Sequence, residues 1–224
     1  MLNTHRIVAT VVGAMALAAC NPAGAGNPPP ESAPSAAQDG ALITSVGFAD
    51  LLRDPAAPFI GAEKADVTII GFMDYNCPYC RQMNPELAAL LEADSKVRIL
   101  YKDWPIFGAP STAAARTALA AAYQGKYEAV HNAFMRSADR IASEDDVRAL
   151  AESASVDMAR LERDLQTHRA DIDGVLDRNK REASALALQG TPAFIINGNL
   201  IPGGMPLAEL QAVIARIRAG DPLR

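Results

Sequence analysis

The stretch VTIIGFMDYNCPYCRQMNPELAALLEAD, residues 67–94, constrains the fold more than any other part of the chain. It opens with an apolar run, Val67 to Tyr75, rich in β-branched side chains, as expected of a central strand buried on both faces. The run passes without a linker into a helical pattern with Pro78 in its first turn, where the missing N–H would have been unpaired in any case. Pro85 falls further along the same helix and is expected to kink it. A strand that feeds directly into a helix opens an α/β arrangement. Two of the three cysteines, Cys77 and Cys80, sit on that junction.

Three chemistries are open to cysteines at this spacing. A zinc site takes four N or S ligands, usually as two close pairs, and the other candidates, His131 and His168, each lack a second ligand nearby. A structural disulfide between residues three apart closes too small a loop to restrain the unfolded chain much. A redox couple draws on the position itself. A thiol at the start of a helix faces unpaired N–H groups and the positive end of the dipole, which pull its pKa below the free value of about 8.5. Such a thiolate is a good nucleophile and a good leaving group, and Cys80, one turn on, lies within its reach.

The rest of the chain reads as alternating elements. VGFADLLRD is a short helix, APFIG an edge strand and KVRILYKDWPI the next strand. From Ser111 to about Leu188 the pattern is helical: STAAARTALAAAYQ with Ser111 as its cap, KYEAVHNAFMRS with Tyr127, Val130 and Phe134 on one face, then a segment opened by a capping box of Ser143 and Asp146, and two more. TPAFIINGNLI returns to strand, with Asn197-Gly198 as a hairpin turn. PLAELQAVIARIRAG places Leu207, Leu210, Ile214 and Ile217 on one helical face. The order gives an α/β fold with an inserted all-helical subdomain. His131 is read as a packed core histidine, Trp104 as a packing or rim aromatic, and Glu144 to Asp146 as a solvated helix start.

At 224 residues, half of them hydrophobic, the chain can bury a sizeable core without disulfide scaffolding. The formal net charge of −5 and the lack of a basic run argue against nucleic acid as a partner. Residues 1–20 read as an export signal: Arg6, then an apolar run from Ile7 to Ala19 that is short for a bilayer span. It closes on LAAC, similar to the lipobox of bacterial lipoproteins, in which Cys20 is acylated and becomes the mature N-terminus. Ordinary cleavage after Ala25 is the alternative. Residues 21–40, rich in Pro, Ala, Gly and Ser, form a tether with nothing to bury, reaching about 25 Å as a flexible coil and about 60 Å as polyproline II.

DYNCPYC, Pro85 and GTPAFIING together resemble the DsbA family of thioredoxin-fold thiol:disulfide oxidoreductases, over most of residues 58–219. The resemblance implies a thioredoxin-like fold in which Cys77 is an exposed attacking thiol and Cys80 a buried resolving thiol. It also implies that Pro192 follows a cis peptide bond and faces the cysteines. Thr191 offers its backbone to an extended substrate, a strand-addition contact, and the Pro78-Tyr79 dipeptide tunes the redox potential. Many relatives carry a carboxylate where this chain has Gly71, paired with a lysine at the position of Lys102. On that pattern the Lys102 charge stands uncompensated and favours the Cys77 thiolate, with Asp74 or Asp103 as a substitute acid.

These readings converge on an exported, lipid-anchored, monomeric enzyme that exchanges disulfides with cysteine-containing exported proteins and is recycled by a membrane partner. Related isomerases carry an N-terminal dimerisation module for which residues 41–60 are too short, so oxidase is favoured over isomerase. A tethered thioredoxin-fold binding module and a dedicated reductase of one partner protein are the alternatives. No metal, flavin or nucleotide cofactor is implied. The lipobox reading predicts that the mature protein fractionates with membranes and that Cys20→Ser releases or mislocalises it; a mature N-terminus beyond Ala25 contradicts it.

Overall fold

The computed structural model describes residues 47–221; the signal, Cys20 and the tether lie outside the described residues. The elements in chain order are α1 (Phe48–Leu52), β1 (Phe59–Gly61), β2 (Val67–Met73), α2 (Pro78–Ala93), β3 (Val97–Asp103), α3 (Ala109–Ala122) and α4 (Tyr127–Met135). They continue with α5 (Glu144–Ser153), α6 (Met158–Thr167), α7 (Arg169–Ala185), β4 (Ala193–Ile196), β5 (Asn199–Pro202) and α8 (Leu207–Ala219).

The strand read from the sequence as buried on both faces, β2, lies inside the sheet, whose order is β1-β3-β2-β4-β5. β2 runs parallel to β3 in a register that sets Gly71 beside Tyr101, Phe72 beside Lys102 and Met73 beside Asp103; the other pairings are antiparallel. Alternation along the strands divides the core in two. Val67, Ile69, Met73, Val97, Ile99 and Tyr101 join the cluster that contains both cysteines and the apolar faces of α2 and α8. Ile70, Phe72, Leu100 and Ile195 form the other, against Leu51 of α1 and Ala183 and Leu186 at the end of α7. Trp104 packs beside this second cluster, edge-on to Phe72.

The five helices α3–α7 lie between β3 and β4 in the chain, as the helical insertion. The Ser143–Asp146 capping box forms, with both hydrogen bonds in place. The Asn197-Gly198 turn has φ of 50° and 80°, the positive pair that a two-residue hairpin requires. Helix α2 runs unbroken through Pro85. Ser111 does not cap α3. That helix starts at Ala109 after Gly108, with a proline in its first turn, and the Ser111 hydroxyl is instead donated to Asp74 Oδ1 at 2.8 Å.

Lys102 also departs from expectation. Its side chain points to the sheet face opposite the cysteines and is fully buried, with Nζ 2.7 Å from Asp54 Oδ2 and 2.9 Å from Glu182 Oε2. Arg178 holds both oxygens of Asp54 from α7 at 2.8 and 2.9 Å. The charge is therefore compensated twice over, and it pins the segment after α1 to the sheet and to α7. Burial pushes the Asp54 carboxyl up, but hydrogen bonds from Lys102 and Arg178 outweigh it and hold the group below the usual range. Its contribution to stability is present at neutral pH and is lost as pH falls below the free Asp value of about 3.9.

Breaking a buried pair by removing one partner costs about 3–5 kcal/mol. Lys102→Met is expected to lower the unfolding free energy in denaturant by about that amount while leaving the alkylation profile of Cys77 against pH unmoved. A change below about 0.5 kcal/mol, the size of an ordinary surface substitution, contradicts this account.

Candidate active site

The turn between β2 and α2 is built by side chains that would otherwise be costly to bury. The Asp74 carboxylate accepts four hydrogen bonds: Asn76 N–H at 2.7 Å and Ser111 Oγ at 2.8 Å on one oxygen, Ile106 N–H at 2.6 Å and Phe107 N–H at 3.1 Å on the other. The Asn76 amide exchanges two hydrogen bonds with the backbone of Ile141, both 2.9 Å, and donates to Ser111 Oγ. The strand end, the loop after β3 and the loop before α5 are thereby tied into one frame around residue 77.

That frame delivers Cys77 to the N-cap of α2 in extended backbone, with Pro78 in the first turn and no side-chain cap competing for the exposed N–H groups. The Cys77 thiol is pulled down to about 6. The hydrogen bond from the Cys80 thiol leads, burial opposes it, and Thr191 and the N–H groups of Cys80 and Tyr79 add to it. Cys80 is pushed strongly up, first by burial and then by Cys77, with the Asp74 N–H at 3.5 Å offsetting only part. At neutral pH the pair therefore holds a thiolate at residue 77 and a thiol at residue 80.

Exposure does not separate them. Cys77 is 1% exposed and Cys80 0%, whereas Tyr79 between them is 66% exposed. The expectation of an open Cys77 is corrected on this point, because the Thr191–Pro192 loop closes against it. In its protonated form the Cys77 thiol donates to the Thr191 carbonyl at 3.0 Å. The Thr191–Pro192 peptide is cis, and the Pro192 carbonyl accepts the Gly203 N–H at 3.0 Å, which fastens the loop to the chain after β5. A groove of about 1160 Å³ opens beside the pair, lined among others by Tyr79, Met83, Thr191, Pro192, Ile201 and Met205.

The structure thus gathers Cys77, Pro78, Tyr79, Cys80, Thr191, Pro192 and Asp74, and leaves Lys102 on the far side of the sheet. Asp103 lies on the near side, where both its oxygens face the Tyr127 hydroxyl at 3.2 and 3.3 Å. His131 is a core residue, fully buried with Nδ1 3.3 Å from Tyr75 Oη. Among the described residues no group of three or more His, Cys, Asp or Glu is arranged to hold a metal ion. As parts of the site, Asn76 and Ser111 escaped the sequence reading, which took Ser111 for a helix cap. A polar residue directly before Cys77 was the available signal for Asn76; nothing local marks Ser111.

Comparison with known proteins agrees with this geometry. A family described as thioredoxin matches residues 53–216. A thioredoxin-like oxidoreductase from Silicibacter pomeroyi is 39% identical in sequence, with a TM-score of 0.71 over 75% of this chain and 96% of that one. The thiol-disulfide exchange protein alpha-DsbA2 of Wolbachia pipientis, 24% identical, shares the fold with a TM-score of 0.72 over 76% of this chain and 91% of its own. A curated Na(+)/H(+) antiporter, NhaA 3 of Salinispora tropica, is 30% identical over 82% of this chain, which spans only 28% of that protein's length. With the strand, the dithiol turn, the helix and the cis-proline loop in their places, the chain belongs to the thioredoxin family, in the DsbA-like form whose sheet carries an inserted helical subdomain.

Proposed function

We propose that this protein is a thiol:disulfide oxidoreductase acting on cysteine-containing polypeptides, with Cys77 forming the mixed disulfide and Cys80 resolving it. The observation that carries the reading is the opposed electrostatics of two thiols one helical turn apart. A substrate thiolate attacks Cys77 of the disulfide and Cys80 leaves, taking a proton. A second substrate thiolate then attacks the sulfur bound to Cys77, which departs as a stabilised thiolate. In the reverse direction Cys77 attacks a substrate disulfide and Cys80, once deprotonated, releases it.

The substrate is an extended segment laid along the Thr191–Pro192 loop. The Thr191 carbonyl stands beside the reactive sulfur, and the groove supplies apolar surface for side chains of many shapes. Pro78 keeps the first turn of α2 intact, and Tyr79 presents its ring at the rim. A stabilised Cys77 thiolate favours the reduced form, so the couple tends to oxidise its substrates, which supports oxidase over isomerase. The N-terminal sequence supports action outside the cytoplasm with Cys20 as a lipid anchor, as a monomer recycled by a membrane partner. The 39% identical oxidoreductase supports the chemistry.

Because Cys77 titrates near 6, well below a free thiol, the extra stability of the reduced fold is complete above about 9 and shrinks as pH falls toward 6. Alkylation of reduced protein is therefore expected to rise with a midpoint near 6, and Cys80→Ala is expected to accumulate mixed disulfides that Cys77→Ala does not form. A midpoint near 9, with equal trapping in the two variants, contradicts the assignment and leaves a structural cysteine pair.

A further inference from the structure

A second cavity, of about 390 Å³, opens between α2 and α4 against β1 and β3, and it shares no lining residue with the groove beside the dithiol. Its size lies in the range of small-molecule sites. Two of its residues are almost wholly buried and short of partners. Tyr101 is 2% exposed, and among the described residues no hydrogen bond reaches its hydroxyl. Asn84, on α2, is 3% exposed, and its amide makes one long contact, 3.5 Å to Asn132 Oδ1 on α4. Burial first, then the charges of Asp103 and Glu128, raise the Tyr101 phenol above its ordinary value, so it lines the cavity as a neutral hydroxyl able both to donate and to accept. A buried hydroxyl without a partner costs free energy that a bound polar molecule recovers.

Around this buried floor the rim carries charge of both signs: Glu92 at the end of α2, Glu128 in the first turn of α4 and Arg136 after its last. Elsewhere on the surface carboxylates meet arginines directly, as Asp173 meets Arg116, Glu162 meets Arg148, and Asp66 and Asp94 meet Arg218. Around this cavity they do not. Among the described residues no ion pair joins Glu92, Glu128 or Arg136 to each other or to any other group. Two carboxylates alone would accept any cation. The guanidinium beside them and the unpartnered hydroxyl beneath them narrow the choice, and Ile60, Ala88 and Leu91 add a stretch of apolar wall.

We propose that this cavity is a binding site for a free basic amino acid, of the lysine or arginine kind. Such a molecule carries two cations and one carboxylate, the mirror of Glu92, Glu128 and Arg136. Its ammonium and its side-chain cation are met by the two glutamates, and its carboxylate by the Arg136 guanidinium, whose fork suits a two-oxygen acceptor. The methylene stem between them lies on Ile60, Ala88 and Leu91. Tyr101 and Asn84 take the polar atoms that reach the floor, which fills the partner missing from the Tyr101 hydroxyl. A basic side chain within a polypeptide has no free carboxylate and leaves Arg136 unpaired, so the free amino acid is the better match. The site stands apart from the exchange activity: none of its residues belongs to the dithiol turn or to the Thr191–Pro192 loop.

The test is an NMR titration of the wild-type protein with L-lysine and with L-arginine at constant ionic strength, following the side-chain amides of Asn84 and Asn132. Saturable shifts are expected with at least one of the two, half-complete at about 1 mM or below. Tyr101→Phe and Arg136→Gln are each expected to weaken binding about fivefold, the loss of one hydrogen bond or one exposed ion pair. L-lysinamide, which lacks the carboxylate, is expected to bind the wild-type protein about fivefold more weakly than L-lysine and to lose nothing on Arg136→Gln. Shifts that do not saturate below about 20 mM with either amino acid, the result for a cavity that holds water only, overturn the proposal. Lysinamide binding as tightly as lysine also overturns it, and assigns the cavity to a basic side chain of a polypeptide instead.

Discussion

The four hydrogen bonds to the Asp74 carboxylate hold the rest of the site in place. A buried carboxylate with unfilled acceptor positions is expensive, and here each oxygen takes two donors from parts of the chain that have no other reason to meet. The end of β2, the loop after β3 and the first turn of α3 are drawn to one point. With Asn76 tied to Ile141, the turn loses the freedom to extend either the strand or the helix. Residue 77 is left where the helix begins, and the remaining properties of the site follow from that placement.

The consequence is a division of labour between two chemically identical side chains. Cys77 receives the helix N-terminus and the hydrogen bond of its neighbour; Cys80, one turn inward, bears the cost of burial and the pull of Cys77, offset only in part by the Asp74 N–H. Their accessible surfaces are nearly equal, so solvent exposure does not distinguish the two thiols. The Thr191–Pro192 loop covers the sulfur with a carbonyl instead of a side chain, and a polypeptide can approach along that same backbone edge. On the other sheet face the Asp54–Lys102–Glu182–Arg178 cluster stabilises the scaffold and leaves the dithiol to its own local field.

What could be read from the residues was local in the chain. The strand that runs into a helix at Cys77, the Ser143–Asp146 capping box and the Asn197-Gly198 turn are each decided within a few residues, and each is found as read. Contacts between distant residues were invisible to that reading. Lys102 lies 48 residues from Asp54, and Arg178 lies 124 residues from it; no periodicity reports such pairings. A lysine with no acid in the position its relatives use looked unpaired, when its partners had come from α7 and from the segment after α1. Ser111 looked like a cap for the same reason. Its hydroxyl was assigned to the nearest helix start, but the chain placed a glycine and a proline there and sent the hydroxyl to Asp74.

The central claim is that the placement of Cys77 at the start of α2 makes the reduced pair unusually stable and the disulfide a ready oxidant. Equilibration of the wild-type protein with glutathione redox buffers, followed by quantifying the reduced and oxidised forms, measures this directly. The account predicts a fully reversible two-electron couple with a potential above about −200 mV, on the oxidising side of the known range. A pair that fails to equilibrate, or that does so below about −300 mV as structural disulfides do, contradicts it.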